Sequence, residues 1–505
     1  MPIMNKSYEK LQTILDKAGA LGASLTLFSW DQETLAPEKS IENTSKVIGI
    51  LSGEYFSTLI NDEVKELLKE LSLEENASEL DFNQKAIVKK LKKEFEAMEY
   101  IPPAEYREFS ELLAKASGIW AKAKKNQSFE EYAPTLKEII EYQKKFVGYK
   151  NKKGLHPYDV LLDDYEEGFN IEKLDIFFAK VKETVVPLLK EVVAVNDSIN
   201  KDYNFLEYDV EKQKEFSKFI SEYVGFDFTK GVIAESAHPF TTNLHNKDVR
   251  ITTHYLPHNM ESSIFSTIHE CGHGIYEMNI DDAITGTPVG GGSSMGIHES
   301  QSRFFENIIG RGINFWKPIY PKLKETFPEQ LANVSLEDFI RGINKSEPGL
   351  IRTEADELTY SLHIMIRYEI EKMIFNDEVT VEELPALWNK KYEEYMGITP
   401  ANDAEGILQD IHWSGSSFGY FPSYAIGSAI ASQIYYFIKK EMPFETYLEE
   451  GNMKPIIEFL CNHIHKYGAT KNTDELLQGM MGEGFHAQYY TDYLEEKYRR
   501  IYQLD

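Results

Sequence analysis

The chain has 505 residues and a formal net charge of -28, with 82 Asp and Glu against 54 Lys and Arg. That balance excludes nucleic acid as the partner, because a phosphate backbone needs a basic footprint. The two cysteines, Cys271 and Cys461, provide no disulfide framework, and the charged start MPIMNKSYEK lacks the basic and then apolar order of a secretory signal, so the expectation is a cytoplasmic protein.

Taken in order, most of the chain carries a helical pattern. SELDFNQKAIVKKLKKEFEAMEY and FEEYAPTLKEIIEYQKKFVGY place apolar residues three and four apart between charges. Prolines gather at breaks such as Pro102-Pro103 and Pro157, which suit helix ends. Residues 237–255, AHPFTTNLHNKDVRITTHY, depart from the pattern. Their β-branched and aromatic residues flank Asn-Lys-Asp, which predicts a hairpin or small sheet. An exposed strand edge there can pair with an extended peptide backbone.

ESSIFSTIHECGHGIYEMN follows, with Ile264, Phe265, Ile268 and Ile275 on one helical face and Ser262 or Ser263 placed to cap it. The loop PVGGGSSMG then opens a second amphipathic helix, GIHESQSRFFENIIG. Near the C-terminus the longest apolar stretch, Tyr424 to Ile438, is too short and too interrupted by Ser and Gln to span a bilayer. No repeat or long linker separates these elements. The expected architecture is therefore a single, mostly all-α domain over 1–505 with one short β segment near 237–255.

The chemistry concentrates in HECGH, residues 269–273. His269 and His273 are four apart, one turn above another, so two imidazoles can grip one metal. Glu270 lies beside that metal rather than on it, where it can take a proton from a water the metal activates. Gly272 and Gly274 each cost a helix about 1 kcal/mol relative to Ala, so close approach of another element is expected there. Cys271 lies about 200° around the helix from His269 and reads as a core residue. A third ligand leaves a fourth position open for water. Glu299, on the second helix, is the preferred candidate. The adjacent His298 diverges from it by about 100°, so both cannot face the metal. Two imidazoles and a carboxylate suit zinc, and cobalt or manganese also bind such a set.

Six motifs follow one another in order: HPF at 238–240, DVRIT at 248–252, HECGH, HESQS at 298–302, IRTEAD at 351–356 and GILQDIHW at 406–413. Together with SWDQET near the start and PYDVLLDDYEEG in the middle, they make the chain resemble the carboxypeptidase Taq type of zinc metallopeptidases over nearly its whole length. The resemblance implies release of single C-terminal residues from peptides, with broad specificity and poor action on proline. It implies a helical bowl with a long deep groove, a homodimer, His269, His273 and Glu299 as ligands, and Glu270 as general base. Phe305 stands where relatives often carry Trp.

Around this core, His412, Tyr420 and Tyr424 in DIHWSGSSFGYFPSY are candidate donors to the oxyanion, with His412 and Tyr424 the preferred pair. A terminal carboxylate suits the planar fork of arginine, for which Arg250 and Arg352 are the candidates. His238 is expected to order the substrate wall, and Gln409 and Asp410 to orient His412.

Overall fold

The computed structural model describes residues 5–151 and 154–504; the first four residues of the polar start lie outside them. The chain is mostly helical with one small sheet, as its spacing predicts. Among the described residues no helix is long and apolar enough to cross a membrane.

Two compact units make up the chain, each from three separated segments. Residues 1–96, 202–336 and 437–484 form the first, and 97–201, 337–436 and 485–505 the second. Because the segments alternate along the chain, no linker marks a boundary in the sequence.

The first unit opens with α1 (Lys6–Thr34) and α2 (Ile41–Leu59), which pack on each other. Asn5 caps α1 by accepting from the N–H groups of Ser7 and Tyr8. After α3 (Val210–Val224) come β1 (Gly231–Glu235), β2 (Thr241–His245) and β3 (Asp248–Thr253). Their order is β1-β3-β2, with β2 antiparallel and β1 parallel to β3. The predicted hairpin is thus β2 and β3, while β1 lies upstream of the predicted segment. Val249 and Ile251 are fully buried. Ile251 packs near Gly274 of the following helix, α4 (Met260–Met278). Alternation along β3 turns Arg250 to the opposite face.

Helix α4 begins earlier than the serines suggested. Its cap is Asn259, whose side chain accepts from Ser262 N–H. Ser263 Oγ instead donates to Gln213 of α3 at 2.8 Å, so the serine is spent on packing two helices together. The next helix, α5 (Met295–Arg303), runs into a π-helical turn over Phe304–Ile309. Gly272 explains the close approach expected at the motif. A Cβ there would lie 2.7 Å from Ser302 Cα and 2.8 Å from the Gln301 carbonyl, so α5 rests directly on the backbone of α4.

In the second unit, α6 (Glu357–Phe375) is capped by Asp356, which accepts from Leu358 and Thr359 N–H. The segment 406–421 follows later in the chain, and α7 (Pro422–Glu441) begins immediately after it.

Candidate metal centre

In the first unit, His269 and His273 on α4 and Glu299 on α5 bring one ligand atom each within 4.8 Å of one another. Glu299 Oε2 stands 3.5 Å from His273 Nε2 and 3.8 Å from His269 Nε2. Ligands around a tetrahedral zinc are about 3.3 Å apart, given metal–ligand bonds of about 2.0–2.1 Å, so this donor set fits a small divalent ion.

The second atom of every ligand is already engaged, which fixes the first. Glu299 Oε1 accepts from Arg303 Nε at 2.7 Å. His269 Nδ1 meets Glu306 Oε2 at 2.9 Å, and Glu306 also accepts from Arg303 and Arg311. His273 Nδ1 meets His298 Nδ1 at 2.6 Å, and His298 Nε2 meets Glu277 Oε1 at 2.7 Å. With His273 Nε2 kept free for a metal, its proton sits on Nδ1 and is donated to His298, which donates in turn to Glu277. Such outer partners set the tautomer and raise ligand basicity. Glu277 also accepts from Gly292 N–H and from the Asn243 side chain of β2, tying the sheet to the site. Gly292 belongs to the glycine-rich loop, and a Cβ there would collide with His298 at 2.3 Å.

Electrostatics agree with that division. Burial pushes the His273 imidazole down to about 3, leaving it neutral, the form that binds metal. For Glu299, burial favours the neutral acid, but Arg303 and the two histidines outweigh it and hold the carboxylate well below its usual range. Burial also works against charge on His269, yet Glu299 and Glu306 raise it overall. Glu270 is buried, which pushes its carboxyl upward, and its Oε2 accepts from Thr241 Oγ1 at 2.5 Å. Cys271 is fully buried with its thiol pushed up to about 12 by burial, and it stands apart from the ligand set.

A second cluster lies within the second unit. Arg352 donates from Nε and Nη2 to Asp410 Oδ1, at 3.0 and 2.9 Å, and from Nη1 to Tyr360. Arg367 donates to Asp410 Oδ2 and to Gln409 Oε1, at 2.7 and 2.8 Å. Asp410 and Gln409 therefore order two arginines, while His412 Nδ1 stands 4.0 Å from Asp410. Tyr424 Oη is 3.5 Å from His412 Nε2, and the Tyr420 ring lies against the same imidazole at 5.5 Å. Burial, reinforced by Arg352, pushes His412 down to about 4.

The remaining candidates stay in the first unit. Arg250 gives Nε and Nη2 to Asp248, at 2.9 and 3.0 Å, and its guanidinium stacks 4.9 Å from the Trp30 ring. His238 is exposed between β1 and β2, with its carbonyl accepting from Ser236.

Sequence reasoning missed Arg303, Glu306, Thr241 and Glu277. The first two carried a readable signal: from Glu299, steps of four and seven return to one helical face. The other two reach the site through sheet packing, which no local pattern reports.

Two histidines on a sheet-flanked helix and a glutamate on the next helix, each braced from behind, make a site that fits a divalent metal ion. Residues 10–498 match the family described as Carboxypeptidase Taq (M32) metallopeptidase. The chain is 44% identical over 500 residues to carboxypeptidase 1 of Bacillus subtilis, covering 99% of each. It is 36% identical to thermostable carboxypeptidase 1 of Pyrococcus furiosus, covering 98% of this chain and 99% of that one. The M32 carboxypeptidase structure from Deinococcus radiodurans superposes with a TM-score of 0.95 at 31% identity, over 99% of this chain and 100% of that one. The chain belongs to the carboxypeptidase Taq (M32) family of metallopeptidases, and its activity is that of a metallocarboxypeptidase.

Proposed function

We propose that the chain releases single amino acids from peptide C-termini at one zinc ion held by His269, His273 and Glu299, with Glu270 as general base. The observation that carries this reading is Glu299 Oε2 facing both imidazole Nε2 atoms beside a buried Glu270. When bound there, a divalent metal lowers the pKa of a water to about 7 and draws charge from the scissile carbonyl.

The chain's own groups do the rest. Glu270 takes the proton of the attacking water and returns it to the leaving amine. Its burial supports this role, because a carboxyl raised above its usual range holds a proton more readily once it has taken one. Thr241 holds that carboxylate in position. His412 and Tyr424, with Tyr420 as the alternative phenol, donate to the oxyanion. His412 stays neutral at pH 7, and burial keeps the Tyr424 hydroxyl protonated, so each has a proton to donate.

Arg352 and Arg250 are the candidate anchors for the terminal carboxylate. Arg250 has given its Nε–Nη2 edge to Asp248, which leaves its Nη1–Nη2 end for a ligand; Arg352 has given the same edge to Asp410 and one Nη1 hydrogen to Tyr360, which leaves one hydrogen on each Nη for a ligand. His238 orders the substrate wall. Broad side-chain acceptance, poor action on proline, a homodimer, a cytoplasmic setting and the choice of zinc over cobalt or manganese complete the reading, on the strength of the motif resemblance.

One peptide supplied as free acid and as C-terminal amide tests it. The acid loses one residue at a time, and the amide has a kcat/KM roughly 10–100-fold lower, the worth of a charge-assisted hydrogen bond. Equal turnover of the amide would overturn the terminal-carboxylate requirement and favour cleavage of internal bonds.

A further inference from the structure

Within the first unit, a cavity of about 280 Å³ lies among α1, α2, β2 and the loop at 285–291. Leu15, Ala18, Gly22, Tyr55, Leu59 and Pro288 form much of its wall, and no Asp, Glu, Lys or Arg lines it. Ala18 and Gly22 are one turn apart on α1, and their small size leaves the space open. Tyr55 is 37% exposed at its rim, an aromatic ring on the surface without a full set of neighbours.

Strand β2 contributes both to the cavity wall and to the surroundings of Glu270. In the order β1-β3-β2 this strand has one flank without a strand partner. Thr252 N–H donates to the Phe240 carbonyl at 2.9 Å, so antiparallel alternation turns the backbone groups of Thr241 and Asn243 away from β3. Thr241 touches Glu270, whereas Asn243, Leu244 and His245 line the cavity. At about 3.3 Å per residue, the cavity lies roughly 7–13 Å along β2 from the proposed base.

That distance decides which side of the substrate it serves. A carboxypeptidase substrate has a single residue beyond the scissile bond, reaching at most about 3.6 Å of chain length. A subsite two to four residues along the strand lies beyond the backbone of that residue and matches the spacing of the acyl side. We infer that this cavity receives the apolar side chains of the second and third residues on the acyl side of the peptide, whose extended backbone runs along the flank of β2 that has no strand partner. This rests on the carboxypeptidase reading and adds a substrate class to it: peptides of four or more residues that are apolar at those positions.

Gly22→Leu tests it by filling the cavity. The new Cβ meets only the Tyr55 ring, at 3.5 Å, so no backbone is displaced. The substrates are the free acids acetyl-Ala-Leu and acetyl-Leu-Leu-Ala-Leu, which share the residues on both sides of the scissile bond. The wild type turns over the longer peptide roughly 10–100-fold better in kcat/KM, as expected from burying one leucine side chain. Gly22→Leu abolishes that advantage and leaves the shorter peptide within about two-fold. Tyr55→Ala, which removes an exposed ring from the wall, lowers the advantage by a second route. An unchanged advantage in both variants, or an equal loss on both peptides, overturns the inference. Failure of the wild type to shorten either peptide would instead remove the carboxypeptidase reading, and this subsite with it.

Discussion

Glu270→Gln is expected to lower kcat by roughly 10²–10⁴-fold, the worth of a positioned general base, while one metal per chain is retained. Glutamine has the same shape, and its side-chain oxygen still accepts from Thr241 Oγ1, so the local structure of α4 persists. What disappears is the ability to take a proton. KM should change little, because the residue acts on the attacking water rather than on the bound peptide. The pH profile carries the same information. Burial raises the Glu270 carboxyl, and only its ionised form is a base, so wild-type kcat/KM is full above that raised value and falls as pH drops through it. The variant should lose this acid limb. Retention of activity within about ten-fold, or loss of the metal, would remove Glu270 from the role.

Glu299→Ala should strip the metal and, with it, the activity, while circular dichroism stays helical. The expected loss of affinity exceeds the roughly 10–100-fold that follows from losing an outer partner. Arg303 does not become an isolated buried charge in the variant, because it also donates to Glu306. Glu306→Gln is the internal comparison. It weakens the partner of His269 Nδ1, so affinity falls by about 10–100-fold and activity returns at saturating metal. Full metal occupancy in Glu299→Ala would refute its place as a ligand. Equal losses in both variants would mean that ligand and support had been confused.

The candidate site was legible to the extent that it is written in helical spacing. His269 and His273 share a face because 3.6 residues make a turn, and Glu299 emerged as the carboxylate of the next amphipathic segment. The paired glycines announced a close approach, which proved to be α5 resting on Gly272. The supports of the site were far less legible. Thr241 and Asn243 belong to a sheet, and their partners on α4 are 29 and 34 residues away in sequence. The strand β1 has no clear signal because GVIAE is short, lacks polar alternation and pairs parallel to the second strand of the hairpin. The start of α4 was misplaced for a similar reason: three polar residues could cap it, and packing against α3 decided which one does. The division into two units had no local signature, since each is assembled from three distant segments.

The central claim is that one metal, held by His269, His273 and Glu299, removes single residues from peptide C-termini. Chelated, metal-free protein titrated with zinc, with release of the C-terminal residue followed at each addition, tests it most directly. The predicted result is no activity without metal and a linear rise to a break at one equivalent per chain. Activity that persists in metal-free protein, or a break at two equivalents, would contradict it.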